Sequence, residues 1–167
     1  VAERFNHHNG QTFVVPQARV DQQVMIVPGI DGEKMSKSRN NTIQLFASEK
    51  ELKQQVMSIV TDSTPLEAPK DPEKDNVFGI YKLVAPAQAV EAMRHNYLRG
   101  GYGYGHAKKE LLAALLDGYA TERQRFAELM ADRSELDAQL RIGSEKATAV
   151  AQGVLARVRS KVGYGHG

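Results

Sequence analysis

Cysteine is absent from the 167 residues, which removes disulfides, thiolate zinc sites and a cysteine nucleophile together, and fits a reducing, cytoplasmic setting. No apolar run approaches the eighteen or so residues that a membrane-spanning helix needs. The N-terminus also lacks the charged, apolar and small-residue succession of a secretion signal. The five histidines, His7, His8, His95, His106 and His166, show no His-x-x-x-His or His-Glu-x-x-His spacing. No two imidazoles are therefore expected on one helical face, and a metal site built by the protein is not expected. A strong charge of one sign is missing too. The net charge of +2 and pI of 8.8 suit a polyanionic partner, but fall far short of the dense basic excess of a dedicated nucleic-acid binder. What is present, 41% hydrophobic and 25% charged residues, is the composition of one globular domain or two small ones.

The first residue is valine, and Val1 to Phe5 reads as the end of a helix closed by Asn6 to Gly10, as though the chain began inside a domain. Between Thr12 and Val27 the pattern turns β-rich. Phe13-Val14-Val15 before Pro16 and Val24-Met25-Ile26-Val27 before Pro28 predict brief strands or extended segments. Gly29, Asp31 and Gly32 mark turns, and the polar stretch Lys34 to Asn41 predicts an exposed loop.

Beyond it the chain reads as helical. Ser48 with Glu51 forms a capping-box pattern, and Leu52, Val56, Ile59 and Val60 follow at helical spacing. Pro65, Pro69 and Pro72 among charges predict a surface loop to Asp75. Helices are expected at about 77–85 and 86–98, with Pro86 at a first helical position and Gly100-Gly101 as the stop. The longest should run from about His106 to Ala131 on a stripe including Leu111, Leu115 and Phe126. Ser134 is expected to cap a helix over about 135–142 that breaks at Gly143-Ser144, before a last helix to Gly163. No internal repeat and no sustained heptad is present. The pattern predicts a mainly α chain, a helical bundle behind a short irregular or β-containing front end.

One segment stands outside this periodicity, Gly29-Ile30-Asp31-Gly32-Glu33-Lys34-Met35-Ser36-Lys37-Ser38. Two lysines three apart, with a hydroxyl between them and glycines nearby, can fold ammonium groups and hydroxyls around a polyanion such as a triphosphate. A solvated basic turn is the plainer reading of so short a pattern. Met25, before the loop, reads equally as a core methionine.

Lys34-Met35-Ser36-Lys37-Ser38 is letter for letter the KMSKS signature of class I aminoacyl-tRNA synthetases. A given five-letter string arises by chance in such a chain with odds on the order of one in ten thousand. Val27-Pro28-Gly29 before the signature, Asn40-Asn41-Thr42-Ile43 after it, Val60-Thr61-Asp62-Ser63, Gly100 to Gly105 leading to Lys108, Arg123 to Phe126, and Gly143-Ser144-Glu145-Lys146-Ala147 together resemble the tryptophanyl-tRNA synthetase family. The resemblance runs from Ala2-Glu3-Arg4-Phe5-Asn6 to the last helix. Tyrosyl-tRNA synthetases are the nearest alternative, but glycine usually stands at the position of Ser36 in their loop and their C-terminal region differs.

The resemblance implies that 1–47 is the C-terminal remnant of an α/β Rossmann catalytic domain and that 48–167 is a helical anticodon-binding domain. It implies ATP with Mg2+ as substrate, tRNA(Trp) as partner, and tryptophan bound mainly by an upstream half. The parent enzyme would be a homodimer whose interface lies largely in that half, which is compatible with a monomeric fragment. The implied site comprises Lys34 and Lys37 on the β and γ phosphates, Ser36 and Ser38 as donors, Met35 near the nucleotide and Met25 bordering the adenine. A lysine that closes on the departing pyrophosphate stabilises the transition state more than the ground state.

The second class I signature, of His-x-Gly-His type, is not found in this sequence, so an inactive fragment is expected. A stand-alone helical RNA-binding or adaptor module is the competing class of function, testable by the salt slope of tRNA binding. Gly100 to Gly105 lacks the Gly-x-x-x-x-Gly-Lys-Ser/Thr spacing of a phosphate loop and reads as a helix connection. Arg141, Lys146, Arg157, Arg159 and Lys161 suit a solvated helix face or a tRNA backbone. Tyr102 and Tyr104 suit packing or base stacking.

Overall fold

The computed structural model describes residues 1–20 and 26–164. Seven α-helices account for most of them: α1 Ala2–Asn9, α2 Glu49–Met57, α3 Asn76–Val84, α4 Ala87–Arg99, α5 Tyr104–Gly118, α6 Ala120–Ala131 and α7 Arg133–Lys161. The contacts group Asp21–Ala127 into one compact unit and Val1–Val20 with Glu128–Gly167 into another.

In the first of these, each helix boundary has a local cause. The Ser48 hydroxyl accepts from the Glu51 amide while the Glu51 carboxylate accepts from Ser48, the expected capping box at α2. Asp75 caps α3 by accepting from the Phe78 amide at 2.8 Å. Pro86 forces Ala85 out of helical space, to φ −92° and ψ 153°, and serves as the N-cap of α4, one position earlier than expected. Gly100, at φ 79°, ends α4 where a Cβ would stand 2.4 Å from the Glu67 carbonyl. The Gly100–Gly105 stretch is a connection between helices, with Gly103 as the N-cap of α5.

The core lies where α3 packs on α4 and α5 and where α2 packs on α5. Leu52, Val56, Phe78, Met93, Tyr97, Leu111 and Leu115 are its large buried side chains. Tyr102 and Tyr104 pack against Tyr97, with ring centroids 5.6 and 6.2 Å away, as the plainer reading of these tyrosines expected. The 65–75 connection is not wholly a surface loop. Lys70 is buried, donates to the Pro65 carbonyl at 2.9 Å and stands over the Tyr104 ring. Three loop carbonyls replace water around its ammonium.

Three further expectations, about the C-terminal helices, are corrected. The long helix expected over His106–Ala131 is two helices, interrupted at Tyr119 after Gly118, a residue that costs helix propensity. The break expected at Gly143 does not form, and α7 runs unbroken for 29 residues. A glycine at helical φ costs only about 1 kcal/mol in a helix interior, less than is needed to stop one. The cap of α7 is Asp132, which accepts from the Ser134 amide and hydroxyl, rather than Ser134 itself.

The β-containing front end reduces, among the described residues, to a single antiparallel bridge between Pro28 and Lys34. Phe13 to Val15 form no strand. Phe13 instead packs edge-on against Phe5 and is tied by backbone to the buried Asn6 carboxamide. Val24 and Met25 lie outside the described residues. In the unit holding α7, no α7 residue is buried.

Candidate functional site

The signature loop is built outward from the Pro28–Lys34 bridge. The Gly29 amide donates to the Glu33 carbonyl at 2.7 Å, and the Met35 amide to Val27 at 2.9 Å. Inside this closure Asp31 makes a local turn, its carboxylate accepting from the Glu33 amide at 3.0 Å. Gly32 follows at φ 83°, where a Cβ would meet the Asn76 side chain at 2.5 Å. Ser36 is extended, Lys37–Arg39 form one 3-10 turn, and Asn40 closes that turn in the left-handed region at φ 54°. Asparagine tolerates that conformation better than most residues.

The loop is fastened to the helices on its apolar side. The Ile30 carbonyl accepts from the Val60 amide at 2.7 Å, just beyond α2. Met35 is half-buried and lines an apolar cavity of about 280 Å3 with Val27, Ile43, Leu45, Ile80, Val84, Leu115 and Tyr119. The other face of the loop is polar. Lys34 and Lys37 are exposed, and among the described residues neither ammonium has a carboxylate partner. Arg39 instead takes Glu33, at 3.7 Å on the surface. The hydroxyls of Ser36 and Ser38 stand 2.9 Å apart. The structure thus brings Lys34, Ser36, Lys37 and Ser38 into one ordered turn and directs Met35 inward, while Met25 lies outside the described residues.

Residues that the sequence reading gave no chemical role hold this arrangement. Asn41 is buried beneath the loop, 2% exposed. Its Oδ1 accepts from the Ser36 amide at 2.7 Å, and its Nδ2 donates to Asp31 at 2.8 Å and to the Lys34 carbonyl at 3.2 Å. That donation, more than any other contact, holds the Asp31 carboxyl below its ordinary range. Arg123 of α6 donates to the carbonyls of Leu45 and Ala47, and Phe126 stacks on Phe46 with centroids 4.9 Å apart. The chain leaving the loop is thereby pinned to α6. Lys108 of α5 donates to the Met57 and Ile59 carbonyls at 2.9 and 2.7 Å, closing the C-terminal end of α2. Burial pushes its ammonium down. The presence of Asn, Lys and Arg was legible, but the partners of Lys108 and Arg123 are distant in sequence and no local pattern names the Asn41 contacts across the turn.

In the other unit, Arg141, Lys146, Arg157, Arg159 and Lys161 are exposed on α7. Arg157 donates to the Gly153 carbonyl one turn back.

Residues 1–119 match the family of class I tRNA synthetases (W and Y). Over 164 residues the chain is 43% identical to the tryptophan–tRNA ligase of Fusobacterium nucleatum, covering 98% of this chain and 50% of that protein. It is likewise 43% identical to the tryptophan–tRNA ligase of Campylobacter jejuni, covering 51% of it. The crystal structure of tryptophanyl-tRNA synthetase from Campylobacter jejuni complexed with ADP and tryptophan superposes with a TM-score of 0.80 at 42% identity, over 97% of this chain and 51% of that one. The chain spans about half the length of the curated relatives it matches. On the match over residues 1–119, the chain belongs to the class I tRNA synthetases of the tryptophan and tyrosine group.

Proposed function

We propose that this chain is the signature-loop and helical half of a tryptophan–tRNA ligase, an enzyme that activates tryptophan with ATP to the adenylate, releasing pyrophosphate, and passes the tryptophan to tRNA(Trp) in the cytoplasm. The observation that carries the reading is the intact Lys34–Ser38 signature, held as an ordered turn with two exposed ammonium groups that have no carboxylate partner among the described residues. The likeness to tryptophan–tRNA ligases along the whole chain favours tryptophan over tyrosine.

In this reading Lys34 and Lys37 neutralise charge on the β and γ phosphates as the tryptophan carboxylate attacks the α-phosphorus. Charge then builds on the leaving pyrophosphate, and exposed ammonium groups on a closing loop meet it where it develops. Ser36 and Ser38 donate to phosphate oxygens. Met35 seats the loop and borders the nucleotide, and Met25 borders the adenine. Among the described residues no cluster of three His, Asp or Glu side chains is placed to hold a cation, so magnesium is assigned to the triphosphate as part of the substrate. We assign residues 1–47 to the end of the catalytic domain and 48–167 to the anticodon-binding domain. The basic residues of α7 then face the tRNA backbone, and the complete enzyme is a homodimer.

A chimera tests this: the chain replaces the matching half of the Campylobacter jejuni ligase. It is expected to catalyse tryptophan-dependent ATP–pyrophosphate exchange. Lys34→Ala with Lys37→Ala should lower kcat about a hundredfold or more, with the KM for tryptophan little changed. A chimera that folds but shows no exchange refutes the reading.

A further inference from the structure

We propose that Asn41 is the positioning residue of the signature loop: its buried carboxamide fixes the Ser36 amide, the Lys34 carbonyl and the Asp31 carboxylate in one register, so that Lys34 and Lys37 project from a preformed turn. Its catalytic consequence rests on the ligase reading; the geometry does not.

Asn41 is the one polar side chain of the loop region, among the described residues, that is almost wholly buried. It uses both ends of its amide. Oδ1 meets a backbone donor, Ser36 N–H, while Nδ2 meets two acceptors, Asp31 and Lys34. The orientation is fixed by its partners, because flipping the amide would set donor against donor and acceptor against acceptor. The three contacts lie at the start, middle and approach of the signature, which a single backbone bond could not span. The Asn41 carbonyl adds a fourth tie, accepting from the Ile30 amide at 3.0 Å.

Space is reserved for this side chain. A Cβ on Gly29 would stand 2.4 Å from the Asn41 Nδ2 and 2.6 Å from the Asn41 carbonyl oxygen. Burying a carboxamide under a surface loop is costly unless every polar atom is matched, and here every one is. A loop whose lysines must meet charge as it develops gains from being ordered beforehand, since reorganisation at the moment of reaction is then avoided.

The test has two arms. In the 167-residue chain itself, amide hydrogen exchange reads the lock directly. Ser36 should be protected, and Asn41→Ala should speed its exchange by about tenfold or more while the α3 and α5 core amides keep their protection. Exchange at Ser36 as fast as in an open loop, or unchanged by Asn41→Ala, overturns the proposal.

In the chimera, Asn41→Ala should lower kcat for pyrophosphate exchange by about tenfold to a hundredfold, with the KM for tryptophan and the melting temperature nearly unchanged. Asn41→Asp should do the same, because it sets a carboxylate against Asp31. Asp31→Asn with Asn41→Asp should not recover the loss, because the Asp31 oxygen that accepts from Asn41 also accepts from the Glu33 amide and an aspartate at 41 cannot donate to the Lys34 carbonyl. A purely structural role would lower the melting temperature together with the activity, and a kcat unchanged by Asn41→Ala overturns the proposal. An unsubstituted chimera without exchange activity refutes the ligase reading instead, and the exchange arm still decides the lock.

Discussion

Asp75 and Tyr97 show how single residues set the stability of the helical unit. The Asp75 carboxylate caps α3 and also accepts from the buried Tyr97 hydroxyl at 2.7 Å. Burial raises the Asp75 carboxyl above its ordinary value in spite of both bonds. In sign, the folded state holds that proton more tightly, so this group favours folding at low pH and costs stability as the pH rises through its folded value. Tyr97→Phe should cost about 1–3 kcal/mol in urea unfolding, because it strips a donor from a buried carboxylate. Asp75→Asn should cost less, since an amide oxygen still caps the helix and accepts from the phenol. Burial also raises the phenols of Tyr81, Tyr97, Tyr102 and Tyr104, with further help from the carboxylates of Glu110 on Tyr81 and Tyr102, Asp75 on Tyr97 and Asp62 on Tyr104. For a phenol so raised, the stabilisation is complete below the ordinary value of 10 and is lost as the pH rises above it. Absorbance at 295 nm should therefore show these four phenols ionising together with alkaline unfolding, not before it.

At the scale of elements, glycines with different surroundings should respond in opposite directions to the same substitution. Gly143 and Gly153 lie inside α7 with nothing within 4 Å of an added Cβ. Alanine at either should stabilise the helix by about 0.5–1 kcal/mol, read as slower amide exchange across α7. Gly100→Ala should destabilise by about 1–3 kcal/mol, since φ is 79° and the Glu67 carbonyl blocks the Cβ. The α2 capping box and the α3–α4 break at Pro86 were legible because their causes lie within a few residues. The interruption at Tyr119 was not. There Tyr119 lines the cavity under Met35, while Arg123 and Phe126 of the next helix grip the segment from Leu45 to Ala47. Those demands come from residues more than seventy positions away, and an apolar stripe records none of them.

At the scale of the molecule, the contacts place the signature loop in the same compact unit as α2 to α5, so the loop is carried by the helices it is pinned to. No helix among the described residues is long and apolar enough to cross a membrane. The chain spans about half of its curated relatives, and a reaction between two bound substrates needs groups held on both sides of the reacting atoms. The 167-residue chain alone should therefore show no tryptophan-dependent ATP–pyrophosphate exchange above its Lys34→Ala, Lys37→Ala variant. Exchange clearly above that control would mean that this half suffices for adenylate chemistry.

The family and the position of its signature loop were legible in the sequence alone, because a contiguous signature is a local property, as are helix caps and proline breaks. Tertiary structure alone decided what holds that loop. Asn41 finds its partners across the turn, Met35 faces inward against α3 and α5, and Lys70, buried, and Lys108, half-buried, donate to carbonyls instead of water. The physical reason is the same in each case. A polar side chain states which bonds it can make, but burial decides which of them it must make, and burial is fixed only when distant segments meet.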